Sequence, residues 1–394
     1  MNPKQLFYRH LAQTSSEPLA IEIEKAEGIY IYSPDGKRYT DLISGVSVSN
    51  IGHCHPEVVK AVQEQSAKYM HLMVYGELVQ SPQVLLAKRL TELLPPQLDS
   101  VYLVNSGSEA IEGAIKLAKR FTGKTEIISC FNAYHGCTNG AMSIMGNDDF
   151  TRAFRPLVPD CKRIRFGNAE DIEQICNNTA AFIVEVVQGE AGIRFADKTY
   201  WQKVRERCNQ TNTLLVFDEI QTGFGRTGSL FAFEQIGVIP DILTLAKGMG
   251  GGMPIGAFIA SQEIMNCLTH NPVLGHITTF GGHPVSCAAA LASLEVIERE
   301  KLYKTVAKKA ALFKSLLEGL PYVKEVRQQG FMMALEFDNQ EFNFKMIRKC
   351  LEKGVLTDWF LFCDTAMRIA PPLIITEEEI ADVCGIIKVV LCSA

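Results

Sequence analysis

Between about residues 100 and 260 the chain alternates short apolar runs with helix-patterned stretches, and few folds accept that order. The runs are VYLV (101–104), EIISC (126–130), AFIVEVV (181–187), TLLVFDE (213–219), DILTLAK (241–247) and GAFIAS (256–261). Runs this apolar, lacking the two-residue alternation of a half-solvated strand, belong to strands covered on both faces. Strands of that kind separated by helices predict an α/β fold with a mostly parallel sheet flanked by helices. One such helix is expected from Ser108 to about Phe121, where Ile111, Ala114, Ile115 and Ala118 recur at helical spacing and form one apolar face. From about residue 285 the pattern changes to a long helix-prone stretch ending in IERE, and it closes with TEEEIADVCGIIKVV. The expected organisation is a large domain over 50–284 and a smaller α+β domain built from 1–49 and 285–394.

The bulk properties exclude several function classes. With 394 residues, 47% hydrophobic and 21% charged, the chain has enough apolar content for two cores and is not of disordered composition. No run approaches the roughly 18 apolar residues of a membrane helix, and MNPKQLFYRHLAQ lacks a signal peptide's apolar stretch. No membrane partner and a cytoplasmic location are expected. A net charge of -5 offers no basic face for a phosphate backbone, so nucleic acid is not an expected partner. The 12 cysteines are scattered through apolar contexts such as IISC and VVLC, which favours reduced thiols over a disulfide framework.

Function is expected where the apolar runs end, because α/β sheets bind ligands beyond the carboxyl ends of their strands. Asp218 closes one run and Lys247 another, each beside a Gly-rich turn. A carboxylate to pair with a pyridine nitrogen and an amine to form a Schiff base outline a pyridoxal phosphate site. Taken alone, the pair could equally be two unrelated surface charges. In VNSGSEA (104–110) a strand ends and a helix begins, so Gly107 and Ser108 are candidate phosphate ligands, with an ordinary serine cap as the alternative. Tyr134 in FNAYHG is placed to stack on a planar cofactor or simply to pack in a loop. Glu185, Gln188 and Glu190 end another run, where carboxylates are often only solvated.

Three motifs are read as decoys. GFGRTG (223–228) matches a dinucleotide-binding spacing, but no helix is expected to open at Gly228. GKT at 123–125 lacks the glycine a phosphate loop requires five residues earlier, where Ala118 stands. GHCHP (52–56) lacks a second ligand pair at metal spacing, and Pro56 suits a first helical position, so no metal is expected.

In this order, IYSPDGKRYTDLISG, NIGHCHPEVV, NSGSEA, YHG, VQGEAG, DEIQTGFGRTG, LAKGMGGGMPIG, TTFGGHP and RIAPPL resemble the class III aminotransferases. That pyridoxal phosphate family includes the ornithine, N-acetylornithine and 4-aminobutyrate enzymes. The resemblance implies the type I aminotransferase fold and a homodimer with shared active sites. It also implies that Lys247 forms the Schiff base, Asp218 pairs with the pyridinium nitrogen, Gln221 bonds the ring oxygen and Tyr134 stacks on the ring. Gly107 and Ser108 would hold the phosphate, joined by Thr279 from the neighbouring subunit, with Thr278 beside it as a substrate contact. Arg368 is similar to the arginine that takes the α-carboxylate of glutamate and 2-oxoglutarate. Glu190 is similar to the glutamate that covers that arginine and swings away for the keto acid.

The chain also departs from its relatives. Cys137 stands where many carry an arginine for the donor's distant carboxylate, and Val46 stands where ornithine enzymes have tyrosine. Val186 replaces a common proline. The implied reaction moves an amino group from an ω-amine or amino acid, of the acetylornithine and ornithine class, to 2-oxoglutarate. The departures at Cys137 and Val46 point to a more apolar or differently anchored donor. A glutamate-semialdehyde-type aminomutase and an ω-amino acid:pyruvate aminotransferase are the alternatives.

Overall fold

The computed structural model describes residues 2–393, and its centre is a sheet of seven strands. In chain order these are β1 (Ser100–Val104), β2 (Glu126–Cys130), β3 (Cys161–Ile164), β4 (Thr179–Glu185), β5 (Leu214–Asp218), β6 (Ile242–Leu245) and β7 (Gly256–Ala260). Their order across the sheet is β1-β7-β6-β5-β4-β2-β3, and only β7 runs antiparallel to its neighbours. The expected mostly parallel sheet is therefore present, with every expected strand in it. The edge strand β3 was not expected, because CKRI offers two charges and no apolar run.

Alternate residues of the central strands enter two different cores. Leu215, Phe217, Leu243 and Leu245 pack on one face with Trp201 and Val204 of the helix Lys198–Thr211. Leu214, Val216 and Ile242 pack on the other with helix α1 (Gly107–Thr122), through Ile111, Ala114, Ile115 and Ala118. Those four are the predicted apolar face, and Gly123, at φ 71, ends α1 in the left-handed region where a glycine fits without strain. GKT is thus a helix stop. In GHCHP, Pro56 is the first residue of the helix Pro56–Lys68, and the His55 side chain caps it by accepting from the Glu57 amide at 3.3 Å.

A second core gathers Ile29 and Leu42 with residues between Val306 and Leu391. It covers a four-stranded antiparallel sheet made by β8 (Glu325–Gln329), β9 (Met332–Glu336), β10 (Asp358–Phe360) and β11 (Cys363–Ile369), in the order β8-β9-β11-β10. The strand Arg38–Asp41 pairs with Val355–Leu356, tying the N-terminal segment to this half of the chain. The helix Pro284–Arg299 starts where the smaller domain was expected to open, yet Cys287, Ala289, Leu294 and Ile297 pack in the core of the large sheet. No helix among the described residues is long and apolar enough to cross a membrane. All 12 cysteines are unbridged, five of them buried.

Arg226, from the GFGRTG decoy, joins the two halves. It is fully buried, and its guanidinium donates to the carbonyls of Phe331 (3.4 Å) and Pro371 (2.5 Å), to Ser44 Oγ (3.1 Å) and to Asn50 Oδ1. Burial pulls its pKa down to about 9, with Asp41 opposing, so it stays cationic at neutral pH. Removing the guanidinium would leave several buried acceptors without donors. Arg226→Ala is expected to cost on the order of 3 kcal/mol or more, read as a lower denaturant midpoint. A midpoint equal to the parent's would contradict this role.

Candidate active site

The register of the parallel ladder builds the floor of the site. Asp218 is opposite Glu185 on one side and Thr244 on the other, so these strand ends lie in a row. The chain leaving β6 then turns sharply and presents Lys247, whose φ of 47 is in the left-handed region, a strain of roughly 1–3 kcal/mol for a non-glycine residue. A cavity of about 450 Å³ opens above this row. Lys247, Asp218, Gly107, Ser108, Tyr134, Gln221 and Glu190 line it, as do Glu185, His135 and the apolar Val48, Met253 and Ile255.

Each wall follows from local structure. Ser106 caps α1 by accepting from the Glu109 amide at 3.2 Å. Helix geometry leaves the amides of Gly107 and Ser108 without intrahelical acceptors, facing the cavity at the positive end of the helix dipole. The neighbouring turns are too close for larger residues: a Cβ on Gly136 would lie 2.2 Å from Ser108 Oγ, and one on Gly189 would lie 1.9 Å from Gln221 Oε1.

His135, buried beneath Asp218, places Nδ1 2.7 Å from Asp218 Oδ2, while the Ile220 amide donates to Oδ1 at 3.0 Å. Burial opposes a charged imidazole, but the Asp218 carboxylate, aided by Glu185, outweighs it and raises the His135 pKa. Glu185 accepts from the amides of Tyr134 and Gly189, both at 2.9 Å, and so fixes the turns that carry the aromatic ring and Glu190. Burial lifts its pKa to about 7. Burial also lowers the pKa of the Lys247 amine, against the pull of Glu190 and Asp218.

At the far wall, Glu190 forms a two-pronged ion pair with Arg368, at 3.0 and 2.8 Å. The Leu361 amide donates to Glu190 Oε2 at 3.0 Å. The Arg368 side chain keeps the pKa of Glu190 low even though burial pushes it up. Arg368 is itself buried and lies behind Glu190, outside the lining.

With Arg368, six expected residues are not in the cavity wall of this chain. Val46 has φ 60 inside a tight turn, and Val48, two residues on, takes the lining position instead. Cys137 is exposed and touches the site only by donating its backbone amide to Ser108 Oγ at 3.2 Å. Thr278 accepts from the Gly281 amide at 2.8 Å and lines a separate cavity with Tyr75 and Tyr102. Thr279 is exposed. Gln188 turns inward to donate to the Phe131 carbonyl at 2.9 Å.

Sequence pattern alone does not single out His135 or Val48. His135 had a signal, since it follows Tyr134 at a strand edge, but its partner is 83 residues away and only the fold brings them together.

The class-III aminotransferase family model matches residues 11–391. An acetylornithine aminotransferase of Methanocaldococcus jannaschii is 43% identical over 375 residues, covering 92% of this chain and 91% of its own. An ornithine aminotransferase of Toxoplasma gondii, solved with pyridoxal phosphate at partial occupancy in its active site, superposes with a TM-score of 0.91. It is 31% identical, over 99% of this chain and 93% of its own. The acetylornithine aminotransferase from Elizabethkingia anophelis superposes with a TM-score of 0.87 at 32% identity, over 99% and 98%. The groups around the cavity fit that cofactor: free helix amides for a phosphate, a carboxylate backed by a histidine, an amine and an aromatic ring.

Glu185 also gives the fold a pH signature. The folded chain holds this proton up to about pH 7, whereas an unfolded glutamate releases it near its model value of 4.5. Its stabilising contribution is therefore full below 4.5 and is lost as pH rises through 7. Glu185→Gln should flatten the fall of the denaturant midpoint over that window, leaving the part due to Glu219, which burial also lifts to about 7. Parallel unfolding curves at pH 5 and 8 check this; an unchanged pH dependence in the variant contradicts it.

Proposed function

We propose that this chain, which belongs to the class-III aminotransferases and works with pyridoxal phosphate, moves an amino group from an ω-amine or amino acid donor to 2-oxoglutarate. The observation that carries the reading is the convergence of Lys247 and Asp218 on one cavity walled by the α1 N-terminus. When bound, the cofactor supplies an aldehyde for the donor's amine and an electron sink for the carbon that amine leaves. The amides of Gly107 and Ser108 hold the phosphate, Tyr134 and Gln221 orient the ring, and Asp218 accepts the pyridine N–H. His135 Nδ1 braces Asp218 Oδ2 from below. Lys247 Nζ, whose pKa burial lowers, takes the proton from the donor's amine-bearing carbon and returns it on the other side of the transfer.

Arg368 and Glu190 serve the two substrates in turn. With an uncharged donor end in place, Glu190 neutralises the buried guanidinium; when the keto acid arrives, its carboxylate replaces Glu190 on the same fork. One observation favours a second reading, with pyruvate as the acceptor. Lys247 is the single lysine or arginine among the lining residues, so the second carboxylate of 2-oxoglutarate meets no other guanidinium of this chain there. Val48, Met253 and Tyr134 likewise favour a donor whose far end is apolar or uncharged.

A panel of ornithine, N-acetylornithine, 4-aminobutyrate, β-alanine and lysine against 2-oxoglutarate and pyruvate tests both readings. An aminomutase would instead turn over without any added keto acid. Lys247→Ala is expected to abolish transfer and the visible band of the lysine-bound cofactor. A retained band with full activity would sink the assignment.

The reading includes a homodimer. Val79 is 95% exposed, and Met70, Val273 and Phe280 are also exposed; the His71 ring, next to Met70, lies 4.6 Å from that of Phe280, which follows Thr278 and Thr279. Apolar surface on that scale suits a second copy, which would bring Thr279 to the phosphate of its neighbour. Val79→Asp combined with Phe280→Asp should shift the sedimenting species from dimer toward monomer and lower activity with it. A fully active monomer would contradict the shared site.

A further inference from the structure

Arg368 carries a second carboxylate, and that carboxylate does not face the cavity. Asp358 Oδ1 lies 3.0 Å from Arg368 Nε, on the side edge of the guanidinium, while Glu190 occupies the Nη1 and Nη2 end. The contact is off the line of the N–H bond, so it acts as an ion pair rather than a directed hydrogen bond, and Oδ1 has no other partner. The backbone fixes it. Asp358 and Arg368 are directly opposed across the β10–β11 ladder, and Thr357 Oγ1 bonds the Arg368 carbonyl at 2.5 Å. The Trp359 carbonyl accepts from Nη2 at 3.0 Å, and the guanidinium lies 4.7 Å from the centre of the Phe360 ring. Three consecutive residues of β10 therefore hold Arg368 from behind.

We propose that Asp358 is a positioning residue for the acceptor: it keeps the Arg368 fork aimed at the cavity, and keeps that buried cation neutralised, while Glu190 is away. The proposal rests on the reading that Arg368 receives the keto acid's carboxylate. Arg226 is satisfied by four neutral acceptors, but Arg368 has one, the Trp359 carbonyl, so when Glu190 turns out the remaining carboxylate within ion-pairing distance among the described residues is Asp358. Asp358 removes the penalty of an unpaired cation from the exchange, which becomes a swap of one carboxylate for another at the fork. Burial raises the Asp358 pKa to about 6, with the adjacent Arg368 guanidinium pulling the other way. Glu190 and Asp358 thus divide the work on one arginine: the first is exchanged and the second remains.

The test uses the purified, cofactor-loaded enzyme and steady-state kinetics with the preferred donor and keto acid. Asp358→Asn is expected to raise the acceptor KM roughly tenfold with kcat within about twofold and the donor KM unmoved. Asp358→Glu, which keeps the charge, should restore an acceptor KM close to the parent's, and it stands as the second variant if the asparagine form does not accumulate. Arg368→Lys, measured alongside, separates the two ideas. If that variant raises the acceptor KM and Asp358→Asn does not, the role of Asp358 is overturned while the reading of Arg368 stands. If neither moves it, both fall. If Asp358→Asn raises both KM values and lowers kcat together, or Asp358→Glu is as impaired as the asparagine form, the residue is structural and the proposal is overturned.

Discussion

Everything chemical in this protein follows from a parallel ladder covered on both faces. Along β4, β5 and β6 each side chain enters one core or the other, so the strands tolerate apolar residues until their last positions. Polar groups then emerge together, because the register of a parallel pair aligns strand ends as strictly as it aligns middles: Glu185, Asp218 and Thr244 share one row. The α1 N-terminus arrives at the same edge, since its strand, β1, runs parallel to the same direction at the sheet's far side. Anion-binding amides and a fixed carboxylate are thereby brought together by the topology, before any particular ligand is considered.

The charges of the site are arranged by what each has nearby. Glu185 and Glu219 are both buried, and each is compensated by backbone amides: Tyr134 and Gly189 for the first, Ala232 and Phe233 for the second. They organise loops and keep raised pKa values. Glu190 is equally enclosed, yet its main partner is a side chain, Arg368, carried by β11 of the smaller sheet. Carboxylates bonded to amides are fixed in place, while one bonded to an arginine can trade places with another anion. The difference separates structural glutamates from the one proposed to move, although all three end apolar segments and look alike in sequence.

The sheet, α1 and the end positions Asp218 and Lys247 were legible because they depend on local pattern: apolar runs, helical spacing and turn residues. The strand β3 was not, since an edge strand made of Cys161, Lys162, Arg163 and Ile164 carries no burial signal. Val46 illustrates a second limit, because four consecutive residues at positive φ, Ser44 to Ser47, rotate the chain so that Val48 takes the lining position, and no side-chain pattern reports such a turn. His135 and Asp358 show a third. Each acts through one partner, Asp218 or Arg368, and pairing across a fold cannot be read from spacing. Asp218 and Lys247 outline the cofactor site and resemblance to a family excludes two stray charges, while the donor's far end is left to residues in which this chain departs from that family.

Arg226 sets how this enzyme can move. Its guanidinium is shared among Ser44, Asn50, Phe331 and Pro371, and its own carbonyl accepts from the Phe331 amide at 2.8 Å. A hinge along the seam between the cores would have to break most of these contacts at once, in a place water does not reach. Rotating one glutamate about its own bonds disturbs far less. The exchange proposed for Glu190 therefore needs no hinge: a side chain acting as a latch can turn inside a rigid shell, with the halves of the protein riveted together around it.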